Sequence, residues 1–311
     1  MVSSLMGVGM TRPLVSIGLA VWNGEAYLAK AIESILAQTY ENIELIILDN
    51  RSTDGTSVIC SSFAGRDSRV RYILDSEPRD VSQAFMKIMQ FVLGEFFMVV
   101  GDDDEYEPAY IERLVDLLLK DPGVGLAYSG WGLINPDGSK VSQPRWQPSY
   151  KATDSTVCNF SRYLFFREPI SICFGVVRTQ LHRAALPYYV RPDQLGWNHD
   201  NLYILRLLSM ARVDYCPDEL FYYRLRDRVA LYKLRGQYCG PEGTLKPYLN
   251  LVRHQISVKR VISAIIYESN FSRIQRGFLW ALNQLAFLAY IVRPLAHPKN
   301  LYRMMRDAFA A

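Results

Sequence analysis

Residues 15–56 read VSIGLAVWNGEAYLAKAIESILAQTYENIELIILDNRSTDGT, and the alternation inside this stretch decides the fold. The run from Leu14 to Val21 is short, β-branched and almost unbroken in its apolarity, the pattern of a strand covered on both faces. Asn23-Gly24 breaks it. Leu28, Ile32, Ile35 and Leu36 then recur at helical spacing, which predicts a helix from about Glu25 to Gln38. Ile43 to Leu48 is a second buried strand, closed by Asp49-Asn50 and a polar loop through Thr56. Strand, helix and strand in close succession make a βαβ unit, and such units build parallel sheets.

The same alternation runs on downstream. A helix is expected over Ser57–Phe63, a strand over Val70–Leu74, and a helix carrying Val81, Phe85, Ile88, Met89 and Val92, with Gly94 as its C-cap glycine. Phe96–Val100 is a fourth strand. Pro108 opens a further amphipathic helix marked by Ile111, Leu114, Val115 and Leu118. Beyond Gly123 the pattern is mixed: a strand over Gly125–Asn135, a turn at Asn135-Pro136-Asp137-Gly138, and a strand over Ile170–Arg178. A helix opens at Asn198, two strands follow at Val213–Cys216 and Leu220–Leu225, and the chain reads as helical from about Leu245. The expected class is α/β, a mostly parallel sheet flanked by helices with a helical C-terminal appendage.

Composition agrees with one large domain and an appendage. Half of the 311 residues are hydrophobic and about a fifth are charged, which excludes disorder for most of the chain. The net charge is only +4, and no nucleic-acid partner is expected. Its distribution is uneven: from Leu251 onward nine basic residues face only Glu268 and Asp307, about +7, leaving the first 250 residues near −3. Five scattered cysteines without a CxxC pair argue against disulfides or zinc and for a reducing cytosol. Residues 1–12 have no signal-peptide pattern and read as a flexible extension.

At the end of the fourth strand stands Gly101-Asp102-Asp103-Asp104-Glu105. Adjacent carboxylates repel one another, and either water or a hard divalent cation must offset the charge. Oxygen-only ligands suit Mg²⁺ or Mn²⁺, whereas a solvated acidic turn accounts equally well for the triplet in isolation. Ligands of parallel sheets bind at the carboxyl ends of the strands. Asn23, Asp49 and Asp102 to Asp104 all fall there.

The stretch 15–56, with GEFFMVVGDDDEYEPAYIERL (94–114), WNHDNLYILRLL (197–208) and DELFYYR (218–224), resembles the family 2 glycosyltransferases of the GT-A fold. The resemblance covers roughly residues 13–230. It implies a nucleotide-sugar-binding half at 13–122, an acceptor half at 123–240, and a basic helical region at 245–311. It places Ala20, Trp22, Glu25 and Asp49 around the nucleotide base, with Asp49 accepting from the base edge. It assigns Asp102 to the ribose, Asp103 and Asp104 to the metal, Asp200 to the catalytic base, and Arg224 to the donor. Arg224, Arg226 and Arg228 fit a diphosphate grip and a solvated strand face equally. One departure stands out: the family often has Asp where this chain has Gly101.

The chemistry implied is inverting transfer of a sugar from a nucleotide diphosphate to an acceptor hydroxyl, in bacterial polysaccharide or lipid-linked glycan synthesis. A metal offsets charge on the leaving diphosphate, and one carboxylate takes the hydroxyl proton. A silent sugar-nucleotide or glycan-binding module and a sugar-nucleotide nucleotidyltransferase are the alternatives; the second normally carries a glycine- and arginine-rich loop where this chain has WNGEAYL. The apolar run Phe278–Val292 falls short of the roughly 20 residues that span a bilayer. It suits peripheral attachment at the inner face of the plasma membrane, and equally a helix docked on the main domain or on a second subunit as a homodimer.

Overall fold

A computed structural model describes residues 12–141, 154–166, 170–189, 199–225 and 246–295. The first half follows the alternation read above: β1 (Val15–Val21), α1 (Leu28–Leu36), β2 (Ile43–Asp49), α2 (Thr56–Arg66), β3 (Val70–Leu74), α3 (Val81–Ile88) and β4 (Phe96–Val100). There follow β5 (Glu105–Tyr106), α4 (Tyr110–Lys120), β6 (Val124–Ile134), β7 (Lys140–Val141), α5 (Thr156–Phe166), a 3-10 helix (Ile170–Phe174), β8 (Val176–Arg178), α6 (Thr179–Tyr189), α7 (His199–Met210) and β9 (Arg212–Arg224). Two long helices, α8 (Lys246–Glu268) and α9 (Arg273–Leu295), complete the described chain.

The strands form one sheet in the order β3-β2-β1-β4-β8-β6-β9-β5, with β7 beside β6. β1 to β4 are parallel, and β8 runs against both β4 and β6. Two reversals restore the direction, so β6 and its parallel partner β9 run the same way as β1 to β4. Their carboxyl ends therefore all reach one edge of the sheet. Alternation within β2 explains the double burial: Leu45 and Ile47 belong to the core that includes Cys60 and Phe63 of α2, while Ile46 and Leu48 belong to the one that includes α3.

Several local expectations change. The first helix begins at Leu28, because Tyr27 and Leu28 N–H both turn back to the Gly24 carbonyl. α3 stops at Ile88 with Met89 as its C-cap, and its start carries the capping box of Asp80 and Gln83. Gly94 is no cap: its N–H donates to Ser16 Oγ and its carbonyl accepts from Thr179 Oγ1, tying the entry to β4. Ile170–Arg178 is mostly 3-10 helix, with only Val176–Arg178 paired. The two strands expected at 213–225 are one strand, irregular opposite Ser129–Trp131, so Pro217 interrupts regular pairing without ending it.

A second core joins α5, α6, α7 and the two C-terminal helices, through Phe160, Leu205, Ile265, Phe271 and Leu279. α8 and α9 are thus docked along one face on the rest of the described chain. Among the described residues no helix is long and apolar enough to cross a membrane. Ile17 is fully buried at the middle of β1, between β2 and β4. Ile17→Ala is expected to lower unfolding stability by about 2–5 kcal/mol, read as a reduced urea midpoint with an unchanged slope. A loss below about 1 kcal/mol would contradict a close-packed central strand.

Candidate active site

Register sets the site. Val21 pairs with Asp49 and Leu19 with Val100, so the loops leaving β1, β2 and β4 start side by side. The first two loops are stitched together. Asn50 N–H donates to the Val21 carbonyl (2.8 Å), Asn23 N–H to Ser52 Oγ (2.9 Å), and Gly24 N–H to Thr56 Oγ1 (2.9 Å). In the other direction Asn23 Oδ1 accepts from Thr53 N–H (2.8 Å) and Glu25 Oε2 from Gly55 N–H (2.9 Å). Asn23 (φ 52°) and Arg51 (φ 62°) both adopt the left-handed conformation that non-glycine residues rarely take. Strain of this kind persists where surrounding bonds hold it and concentrates at functional sites.

Within this ledge Ala20 is half-buried at the end of β1 and Trp22 projects outward, 64% exposed. Glu25 is exposed and spends its carboxylate on the β2 loop. Asp49 is fully buried; its two oxygens take Ser52 N–H (2.8 Å) and Tyr72 O–H (3.0 Å). Burial first, then the Asp49 charge, pushes the Tyr72 phenol well up. Hydrogen bonds led by the Thr56 hydroxyl hold the Asp54 carboxyl below its ordinary range.

A third loop, after β3, was not anticipated. The Asn50 side chain pairs with the backbone of Arg79 in both directions, at 2.7 Å each. The buried Asp75 carboxylate holds Lys87 (2.6 Å) and Arg79 (2.7 Å). Burial would raise the Asp75 carboxyl, but the bonds from Lys87 and Arg79 outweigh it and bring it down to about 2. One sequence signal could have found this residue: β2, β3 and β4 are each closed by an aspartate or by glycine and aspartate, at Asp49, Asp75 and Gly101-Asp102.

The acidic cluster sits on the other side of the β1 loop. A methyl on Gly24 would lie 2.8 Å from Asp102 Oδ2, so Asp102 closes directly against that loop. A methyl on Gly101 would lie 2.7 Å from Asp104 Oδ2 and 3.2 Å from Asp103 Oδ1. The departure from the family pattern thus has a local reason: the space of a side chain at 101 is taken by the carboxylates that follow. Asp104 is buried, while Asp102 and Asp103 are partly exposed.

Arg224 arranges this cluster from below. Its side chain has no exposed surface, which overturns the solvated-face reading. Its backbone N–H donates to Asp104 Oδ1 (3.0 Å), Nε to the Asp103 carbonyl (2.7 Å), and Nη1 to the carbonyls of Asn135 (3.0 Å) and Pro136 (3.2 Å). Nη2 binds the Glu105 carboxylate, and the guanidinium lies 4.8 Å from the centre of the Tyr27 ring. These bonds tie Arg224 to the acidic loop and to the turn after β6. Arg226, Arg228 and Trp146 lie outside the described residues; Trp131 is partly buried against the main core.

Asp200 lies in another element, the first turn of α7, and is half-buried. Cys173 of the 3-10 helix is close enough that burial first, then the Asp200 charge, pushes its thiol up. Its neighbour Asn201 is fixed by Tyr163 O–H (3.0 Å).

Among the described residues no three His, Cys, Asp or Glu side chains form a ready cage for a metal. Asp103 Oδ1 and Asp104 Oδ2 do converge on the space above Gly101. Two converging carboxylates are the kind of oxygen ligand that Mg²⁺ commonly takes from a protein, so the chemistry of the donor set fits such an ion.

The glycosyl transferase family 2 model matches residues 16–183, the part of the chain that carries this ledge and the acidic cluster. The chain belongs to that family. GlyA of Streptococcus pneumoniae, a glycosyltransferase, is 27% identical over 220 residues, 68% of this chain and 30% of that protein. The chondroitin synthase of Pasteurella multocida is 28% identical over 158 residues, 50% of this chain and 16% of that protein. The chain therefore spans under a third of either relative. S. aureus TarS 1–349, solved with UDP-GlcNAc, superposes with a TM-score of 0.62 at 13% identity, over 94% of this chain and 79% of that one. The mannosyltransferase PcManGT of Pyrobaculum calidifontis, solved with GDP-Man and Mn²⁺, gives 0.59 at 17%, over 97% and 76%. Both likenesses establish the GT-A fold of this family 2 chain.

Two outcomes follow for the family 2 site. Gly101→Asp, although it restores the carboxylate common in the family, is expected to weaken Mn²⁺-dependent UDP or GDP binding in calorimetry, because its Cβ meets Asp104. Arg224→Lys, which keeps the charge and loses the fork, is expected to weaken the same binding by about 10–100-fold; unchanged affinity would remove Arg224 from its positioning role. For Asp75 the sign is that of a depressed carboxyl. Its contribution is whole above the ordinary value of 3.8 and fades as pH falls through about 2. Asp75→Asn should therefore cost stability at pH 7 and progressively less in acid melts below about pH 4.

Proposed function

We propose that the chain is an inverting, metal-dependent glycosyltransferase that moves a sugar from a nucleotide-diphosphate donor to an acceptor hydroxyl. The observation that carries this is the meeting, at one sheet edge, of the stitched β1–β2 ledge and an aspartate cluster positioned by a buried arginine. In this reading residues 13–122 hold the donor. Ala20, Trp22 and Glu25 line the nucleoside side, Asp49 fixes the floor of the base pocket, and Asp102 faces the ribose. Asp103 and Asp104 would hold Mg²⁺ or Mn²⁺, which supplies charge neutralisation for the departing diphosphate. Asp103 is the better exposed ligand and Asp104 the better oriented one.

Residues 123–240 take the acceptor, and Asp200 removes the hydroxyl proton as the sugar carbon is attacked. One base and one leaving-group site suffice for single displacement with inversion; a double displacement would need a placed nucleophile as well. Donors of this type accompany the solved structures of the same fold, UDP-GlcNAc with TarS and GDP-Man with PcManGT. The acceptor class is a growing polysaccharide or a lipid-linked glycan. The setting is the inner face of the plasma membrane, with the basic C-terminal region as the contact.

Hydrolysis and transfer should be screened with UDP-, GDP- and dTDP-sugars and Mn²⁺ or Mg²⁺. At least one donor is expected to turn over only with metal. Asp200→Asn should lower kcat about 100- to 10,000-fold with little change in donor affinity, whereas Asp103→Ala should raise the metal requirement. Donor binding without turnover would favour a silent binding module, and neither binding nor turnover with any donor would end the enzyme reading.

A further inference from the structure

The helix α9 has two apolar faces, and only one of them is used. Leu279, Asn283 and Ala286 are buried against the neighbouring helices, and Asn283 Nδ2 donates to the Lys259 carbonyl (3.0 Å) and Ser263 Oγ (3.1 Å) of α8. On the opposite side Ile274, Phe278, Ala281 and Leu285 recur at intervals of three and four, with Gly277 one turn before Ala281, so the five share one stripe. All five are exposed, Ile274 at 86%, Phe278 at 53% and Leu285 at 56%. A methyl added to Gly277 would meet no atom within 4 Å, so the stripe is open.

Charge decides what covers it. Arg260 on α8 and Arg273 at the start of α9 are exposed, and the chain from Leu251 carries nine basic residues against two acidic ones. One of those two, Glu268, is bonded to the Tyr188 hydroxyl. A second copy laid stripe to stripe would bring two strongly cationic regions together. A bilayer span is excluded for the described helices by their hydropathy. A lipid surface bearing anionic headgroups satisfies both features, taking the stripe at the acyl boundary and the guanidinium groups at the phosphates.

We infer that the Ile274–Phe278–Leu285 face of α9 docks in the plane of an anionic lipid surface. This deepens the reading above by naming the face and the lipid chemistry of the membrane contact, and it rests on that reading only for its biological use. The stripe belongs to a helix far along the chain from the donor loops, so it can be altered without touching them.

The test uses the full chain in co-sedimentation with vesicles of phosphatidylcholine containing about one-third phosphatidylglycerol, against phosphatidylcholine alone. Binding to the anionic vesicles is expected to be at least about tenfold tighter and to fall with salt. Phe278→Glu with Leu285→Glu should reduce it by about tenfold or more, while metal-dependent donor hydrolysis without vesicles stays unchanged. If that variant fails to fold, Arg260→Gln with Arg273→Gln should instead erase the preference for anionic over neutral vesicles. Equal binding to both vesicles, or full binding by the stripe variant, would overturn the inference. So would a wild-type dimer that the stripe variant dissociates in light scattering, which would give the face to a second copy. Vesicle binding as expected with no donor turnover would leave this inference standing and remove the enzymatic one.

Discussion

Beneath three consecutive aspartates lies a guanidinium with no exposed surface. Arg224 reaches the acidic loop by its backbone N–H, its Nε and its Nη2, and reaches the turn after β6 by Nη1. A buried cation must be paired and fully hydrogen-bonded, or its desolvation is ruinous. The Asp103 carbonyl and the Glu105 carboxylate are held toward the Arg224 side chain, and Asp104 Oδ1 toward its backbone N–H. The same constraint leaves Asp103 Oδ1 and Asp104 Oδ2 converging above Gly101. One guanidinium offsets only part of the charge of the four consecutive acids at 102–105, its carboxylate partner being Glu105.

The other half of the site depends on the same economy of fixed polar groups. Loops with side-chain oxygens aimed at backbone N–H groups, as at Asn23, Ser52, Asp49 and Thr56, reorganise little when a charged ligand binds. Asp49 illustrates the division of labour. One hydrogen bond to each of its oxygens, from Ser52 N–H and Tyr72 O–H, makes it an anchor of the loop after β2. Asn50 and Asp75 extend that framework to a third loop. The C-terminal helices use a different physics, completing an apolar core on one side while leaving an apolar stripe on the other.

The parallel sheet, its first four strands and the position of the acidic cluster were legible in residues 14–120, since buried parallel strands and amphipathic helices differ so clearly in period. Local ends were less legible. Gly94 looks like a helix cap in sequence because only a fold brings Ser16 and Thr179 to its backbone. The segment at 213–225 looks like two strands because Pro217 and Asp218 interrupt the apolar pattern, while pairing with β6 carries the strand across them.

Strand period and the succession of strands and helices along the chain suffice to put Asn23, Asp49 and Asp102 to Asp104 at the carboxyl ends of strands. What those residues do to one another depends on contacts that the fold brings from far along the chain. Arg224 is separated from Asp103 and Asp104 by some 120 residues, and nothing local distinguishes a buried strap from a solvated strand face. Gly101 is likewise unremarkable until two carboxylates from the following residues fill the space of its missing side chain. Periodicity is a local property of a chain. The pairing of a buried charge is not, because its partners are brought by the strand order that the whole sheet imposes.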